Sequence, residues 1–351
     1  MRIQPDHKKL SYCGRIDWRN TKEPAFIYPC TSVGMRFTGN VLKVYVRNRS
    51  AYWDNYLGYI LDGKQSALLL PKEGDASLEI RIENTGKPEH ELLIFKRQDA
   101  CHKLNFLGIE IEDGATLLDV PQKPDRKIEV YGDSVSAGEV SEAVAYTGRE
   151  DPVHNGEYSN SWYSYAWMTA RKLNAQIHDI AQGGIALMDK TGWFHAPDCI
   201  GMENAWDKIQ YNPDLGEILP WDFSKYTPHV VIVAIGQNDS NPLDFMKEEP
   251  DGEKVVRWRT HYKRFLKGLR EKYPVAQIIC CTTLLNHDKS WDVSIAQVVQ
   301  ELNDEKITRY LFGRNGSGTP GHLRISEAEE MAKELSAYIE SLHIGSWEEQ
   351  R

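Results

Sequence analysis

No apolar run in this chain approaches the ~20 residues that a membrane-crossing helix needs, so a transmembrane span is not expected. Cysteine gives no framework either. The six cysteines (Cys13, Cys30, Cys101, Cys199, Cys280 and Cys281) are scattered. They form no C-x-x-C pair and no zinc spacing, which excludes a disulfide-stapled scaffold and a zinc ribbon and reads as reduced, mostly buried thiols. Positive charge is short as well: 42 Lys and Arg stand against 51 Asp and Glu, a net charge of −9. Nucleic acid and anionic membranes are bound chiefly through basic clusters, so neither is an expected partner. The opening "MRIQPDHKKL" lacks the apolar stretch of a secretory signal, and the expectation is a cytoplasmic protein.

What the sequence does contain is material for two cores. Its 351 residues exceed one ordinary domain, and 41% apolar with 26% charged residues is a globular balance. Up to about residue 122 the chain alternates apolar and polar side chains in short runs. In "VLKVYVRN" Leu42, Val44 and Val46 share one face, and in "SLEIRIEN" Leu78, Ile80 and Ile82 do. Period-two strands with no helix between them predict an all-β sandwich or jelly roll over 1–122. Pro121 and Pro124 then make a stiff joint. Over 123–351 apolar strands ("KIEVYG", "AQIHDIAQ", "HVVIVAIG", "AQIICCTTL") alternate with amphipathic helices near 160–173, 254–272, 290–302 and 326–342. That order predicts a parallel sheet between helix layers, an α/β/α domain with its chemistry at the carboxyl ends of the strands. Ser326 with Glu329 reads as a capping box opening the last helix.

Three glycine-punctuated motifs fall at those strand ends. "YGDSVSAG" places Ser134 just beyond the first strand, "AQGG" places Gly184 beyond the second, and "IGQND" places Asn238 and Asp239 beyond the third. Turns alone favour Gly, Asp, Asn and Ser, but the shared position is what chemistry would need. A serine hydroxyl requires a base to become a nucleophile. Of 11 histidines, His322 stands in a glycine- and proline-rich loop directly before the last helix. His178 and His343 read as structural or solvated, and His195 and His154 remain open loop alternatives.

The order Ser134, Gly184, Asn238, His322 resembles the SGNH hydrolase superfamily, the GDSL esterases, over about 127–342. The resemblance implies a flavodoxin-like SGNH domain, metal-free and cofactor-free ester hydrolysis, and an oxyanion hole made by the Ser134 N–H, the Gly184 N–H and the Asn238 side chain. A β domain ahead of such a hydrolase, with "GRIDW" and "PCTSVGMRFTGNVLKVYV", resembles carbohydrate esterase family 2, whose members take acetyl groups from sugars. The superfamily's usual Asp three residues before the histidine is Thr319 here, and no acid occurs between Leu311 and Ser326. Whether a carboxylate from elsewhere in the chain or a backbone carbonyl orients His322 is left open by the sequence; the resemblance to carbohydrate esterase family 2, some of whose members work as Ser-His dyads, is compatible with the latter.

The functional expectation is a serine acetyl esterase acting on acetylated carbohydrate. The long excursion from 185 to 227 carries several aromatics and reads as a functional loop or lid. Trp193, His195 and Asp239 are the candidate substrate-binding residues. Two alternatives stand beside this reading: a lipase or thioesterase of the same superfamily acting on other acyl chains, and a carbohydrate-binding protein with a vestigial hydrolase domain.

Overall fold

The structure is a computed structural model describing residues 1–83 and 87–348. Asn84, which ends the "SLEIRIEN" stretch, and the last three residues of the 123–351 segment lie outside the described residues. The chain divides into two compact units, with the main break between Lys123 and Pro124. Residues 154–157 and 209–219 group with the first unit, so its chain is not continuous in sequence.

In the first unit two antiparallel sheets share one core. One sheet runs Ile16–Asp17, Ala25–Phe26, His102–Ile111, Val41–Ser50, Glu73–Arg81, with Arg2–Ile3 also on His102–Ile111. The other runs Leu117–Leu118, Ser32–Phe37, His90–Lys96, Tyr56–Leu61, Lys64–Leu69, with Ser11–Cys13 on Ser32–Phe37. The alternation read from the sequence accounts for the core. Leu42, Val44 and Val46 are buried while their neighbours Lys43, Tyr45 and Arg47 are not. Ile80 and Ile82 are buried, and Leu78 packs on the same core. Each such side chain removed from water contributes roughly 1.5–3 kcal/mol. Where Phe106 and Gly108 shift the ladder by a residue, Gly108 has φ +103° and a Cβ there would lie 2.4 Å from the Ile3 carbonyl. Only glycine allows that bulge.

The second unit is built on a wholly parallel sheet of five strands: β1 (Arg126–Gly132), β2 (Ala175–Ala181), β3 (Val230–Ala234), β4 (Gln277–Cys280) and β5 (Ile307–Arg309). The strand order is β2-β1-β3-β4-β5. The first four answer the four apolar runs of the sequence. β5 was not foreseen, because three residues at a sheet edge are too few to show a period. A short helix α1 (Ser134–Ala137) follows β1, then α2 (Tyr165–Lys172), α3 (Glu253–Lys272), α4 (Ser290–Leu302) and α5 (Ile325–Ser341). Val255, Trp258, Tyr262, Phe265 and Leu269 form the buried stripe of α3. Helices α2 and α5 pack together, as do α3 and α4.

The start of α5 corrects the sequence reading. The N-cap is Arg324 and not Ser326. The carboxylate of Glu327, three residues on, accepts the Arg324 N–H at 2.9 Å and the Thr319 N–H at 2.8 Å. Glu329 takes no part in the cap, since the helix begins at Ile325.

Candidate active site

Strand register brings the three motifs together. Gly132, the last residue of β1, pairs with Ala181 of β2 on one side and Ala234 of β3 on the other. The three strands therefore run out at one level, and Ser134, Gly184 and Asn238 follow within two to four residues of it. This edge is the crevice where parallel sheets carry their sites.

The turn that carries Ser134 is tightly built. Asp133 caps α1, its carboxylate accepting the Val135 N–H at 3.0 Å. Gly132 packs so close that a Cβ would fall 2.0 Å from the Ser136 hydroxyl. The turn closes at Gly138, with φ +78° and a would-be Cβ 2.6 Å from the Asn160 carbonyl. Ser134 itself is 3% exposed. Its N–H is the first of α1, and the first N–H groups of a helix have no intrahelical acceptor. Burial raises the carboxyl of Asp133 to about 6, against the Val135 N–H and the nearby charges of His322 and His287, which lower it.

One hydrogen bond ties Asn238 to the loop that carries Gly184. The Asn238 Nδ2 donates to the Ile185 carbonyl at 3.0 Å, next to Gly184. An amide carries two N–H donors, so one holds the loop and the second is left for a ligand. Gly184 has φ +71°, and its carbonyl accepts the N–H groups of Trp193 and Phe194. A side chain there would run into Trp193 at 2.8 Å. Behind Asn238, the Gln237 amide reaches His287, whose Nε2 lies 3.2 Å from Asp292. Sequence reasoning passed over this second histidine–carboxylate pair. Burial works to lower the His287 imidazole, but Asp292 and the Leu285 carbonyl hold it above its ordinary value.

His322 is held by a carboxylate and not by a backbone carbonyl. Its Nδ1–H donates to Asp151 Oδ2 at 2.6 Å, and its backbone N–H donates to Oδ1 at 3.1 Å. Arg324, wholly buried, donates to Asp151 at 2.9 Å and to the His322 carbonyl at 2.7 Å. Gly321 makes room: with φ +80°, its Cβ would lie 2.6 Å from the Asp151 carboxyl carbon. Thr319 also has a part. Its hydroxyl accepts the Gly148 N–H at 2.8 Å and so anchors the loop that carries Asp151. The His322 Nε2 faces Glu139 at 3.3 Å. Among the described residues no hydrogen bond joins that nitrogen to Ser134. The link runs through Glu139, whose N–H donates to the Ser134 carbonyl at 3.0 Å.

The candidate substrate residues fare unevenly. Asp239 is corrected outright: it is fully buried, its carboxylate accepting the Leu187 N–H at 2.7 Å, the Met188 N–H at 3.1 Å and the Thr191 hydroxyl at 3.0 Å. It braces the loop after Gly184 and has no face left for a sugar. Trp193 is 63% exposed on the backbone bonded to Gly184. His195 is half-buried, with Nδ1 3.2 Å from the Asp198 carbonyl. In the rest of the excursion, Phe194 and Trp221 are buried and belong to local packing.

Comparison with known proteins agrees with this architecture. Residues 12–121 match the family model described as carbohydrate esterase 2 N-terminal. A cellulase/esterase of Acetivibrio thermocellus is 28% identical over 96% of this chain, which spans 40% of that relative's length. An acetylxylan esterase / glucomannan deacetylase of Cellvibrio japonicus is 26% identical over 95% of this chain and 88% of the relative. A solved family two carbohydrate esterase from Clostridium thermocellum, in complex with cellohexaose, superposes with a TM-score of 0.80 at 26% identity, covering 96% of this chain and 99% of that one. Sequence and fold together make the chain most like carbohydrate esterase family 2.

Proposed function

We propose that this chain, built throughout like the family two carbohydrate esterases, is a serine esterase that removes acetyl groups from acetylated sugars. One observation carries the reading: a carboxylate–imidazole pair, Asp151 and His322 at 2.6 Å, set against the strand-end turn that bears Ser134. In the proposed reaction the Ser134 Oγ attacks the acetyl carbonyl while His322 takes its proton. Asp151 holds the imidazole and stabilises the imidazolium that forms. The negative oxygen is received by the Ser134 and Gly184 N–H groups and the Asn238 amide. The imidazolium returns its proton to the departing sugar oxygen, and the acetyl group stays on Ser134. A water, deprotonated by the same imidazole, then splits the acyl-enzyme and releases acetate.

The near-complete burial of Ser134 supports a small acyl group over a long one. The relative named an acetylxylan esterase / glucomannan deacetylase supports acetylated polysaccharide or oligosaccharide as the substrate class. Exposed Trp193 beside Gly184 offers a flat apolar face for a pyranose ring.

Acetate release from acetylated xylo-oligosaccharides, alongside a series of p-nitrophenyl esters, tests this. Acetyl should exceed butyryl in kcat/KM by about tenfold or more, the discrimination expected of a pocket that cannot take extra methylenes. Rates that rise with chain length would point to a lipase-type enzyme instead. Within the oxyanion hole, Asn238→Ala should cost about a hundredfold in kcat, as loss of one such donor does, with KM little changed.

A further inference from the structure

We infer that Glu139 competes with Ser134 for the Nε2 of His322 and so sets the pH at which the base is free to act. This rests on the esterase reading and adds to it a residue that the four motifs do not contain.

The argument begins with hydrogen-bond chemistry. A neutral imidazole has one N–H and one bare nitrogen. Here both ring nitrogens face carboxylates: Nδ1 has Asp151 at 2.6 Å and Nε2 has Glu139 at 3.3 Å. A bare nitrogen against a carboxylate oxygen is repulsive, so the arrangement calls for hydrogens on both nitrogens, an imidazolium. Charge counting agrees. The groups facing the ring are Glu139 from the turn that carries Ser134, Asp151 from the loop before α2, and Arg324 from the start of α5, with Asp133 beside Ser134. His287, from the loop after β4, acts on the site through Asp133. Glu139 and Asp151 against Arg324 leave one uncompensated negative charge, to which Asp133 adds when ionised, and an imidazolium offsets it. Burial works against that charge, but the two carboxylates prevail and His322 is raised to about 10.

Glu139 is not a side chain that can drift away. It follows Gly138, whose conformation is fixed by its approach to Asn160, its N–H is tied to the Ser134 carbonyl, and it is 6% exposed. To accept the serine proton, Nε2 must lose its own proton and turn from Glu139. Near neutral pH most resting molecules therefore hold the base in its charged, unproductive form. Activity rises as pH climbs through the titration of His322.

Glu139→Gln tests this with two readings, the pH profile of kcat/KM for acetyl ester hydrolysis and the NMR titration of the His322 ring in Ser134→Ala protein. In wild type both midpoints lie well on the alkaline side of an ordinary histidine. The substitution should bring both down by about 1–3 pH units, the span one neighbouring charge commands. The variant should then be about tenfold or more faster near pH 6.5. At high pH it should be no faster, since the more basic imidazole of the wild type is the better base there. If the midpoints stay put in Glu139→Gln, and in Glu139→Ala as a second variant, while Ser134→Ala is inactive, the competition is overturned and the esterase reading stands. If Ser134→Ala retains full activity, that reading falls, and the NMR titration still decides whether Glu139 governs His322.

Discussion

Ser134→Ala should lower acetate release from an acetylated oligosaccharide by on the order of 10⁵–10⁶, a loss of the size seen when the nucleophile of a serine hydrolase is removed. The neighbouring hydroxyl on α1 does not stand in for it. Ser136, two residues on, is buried with its Oγ bonded to Tyr165 at 2.8 Å. The substitution is mild for the fold, because the α1 cap is made by Asp133 and the turn by Gly132 and Gly138. Thermal unfolding should match wild type, so lost turnover reads directly on chemistry. Residual activity above the uncatalysed rate would come from the oxyanion donors alone. If the variant keeps more than about a tenth of wild-type activity, Ser134 is not the nucleophile.

The shared strand-end placement of Ser134, Gly184 and Asn238 was legible because each sits just past an apolar run, where turn residues mark the strand end and parallel register aligns them. The two-period split was legible for the same reason, that burial imposes periodicity along the chain. Asp151 was not legible. It meets His322 across 171 positions, from a loop with no period, and the family spacing directed attention to Thr319 instead. One signal was present: an arginine two residues after His322, at the mouth of a helix, needs an anion if it is buried. Arg324 is buried, and its anion is Asp151. The capping box failed for a related reason. Ser326 and Glu329 satisfy the pattern, yet Glu327 caps because it also secures Thr319, the anchor of the Asp151 loop. Asp239 misled because an acidic residue at a strand end looks functional, whereas three donors surround it in the core.

Asp151→Asn should reduce kcat by about a thousandfold to ten-thousandfold, the cost of leaving a catalytic imidazole in the wrong tautomer without a charge beside it, with KM nearly unchanged. The amide can present its NH₂ to Nδ1, which then keeps the proton on Nε2, where it blocks the approach of Ser134. Stability gives an independent reading. Burial raises the Asp151 carboxyl, but His322 and Arg324 outweigh it and hold the group at about 2. Its contribution is therefore present above the ordinary carboxylate value of 3.8 and lost as pH falls through about 2. His322 is raised, so its contribution is full below the ordinary 6.5 and lost as pH climbs through about 10. The cluster stabilises the fold most between about 4 and 6.5, while catalysis improves above that window. Melting temperatures of wild type should fall toward pH 10, and those of Asp151→Asn should be lower in the acid window and flatter across it. An Asp151→Asn enzyme with wild-type kcat would return the orienting role to a backbone carbonyl and reduce Asp151 to a partner of Arg324.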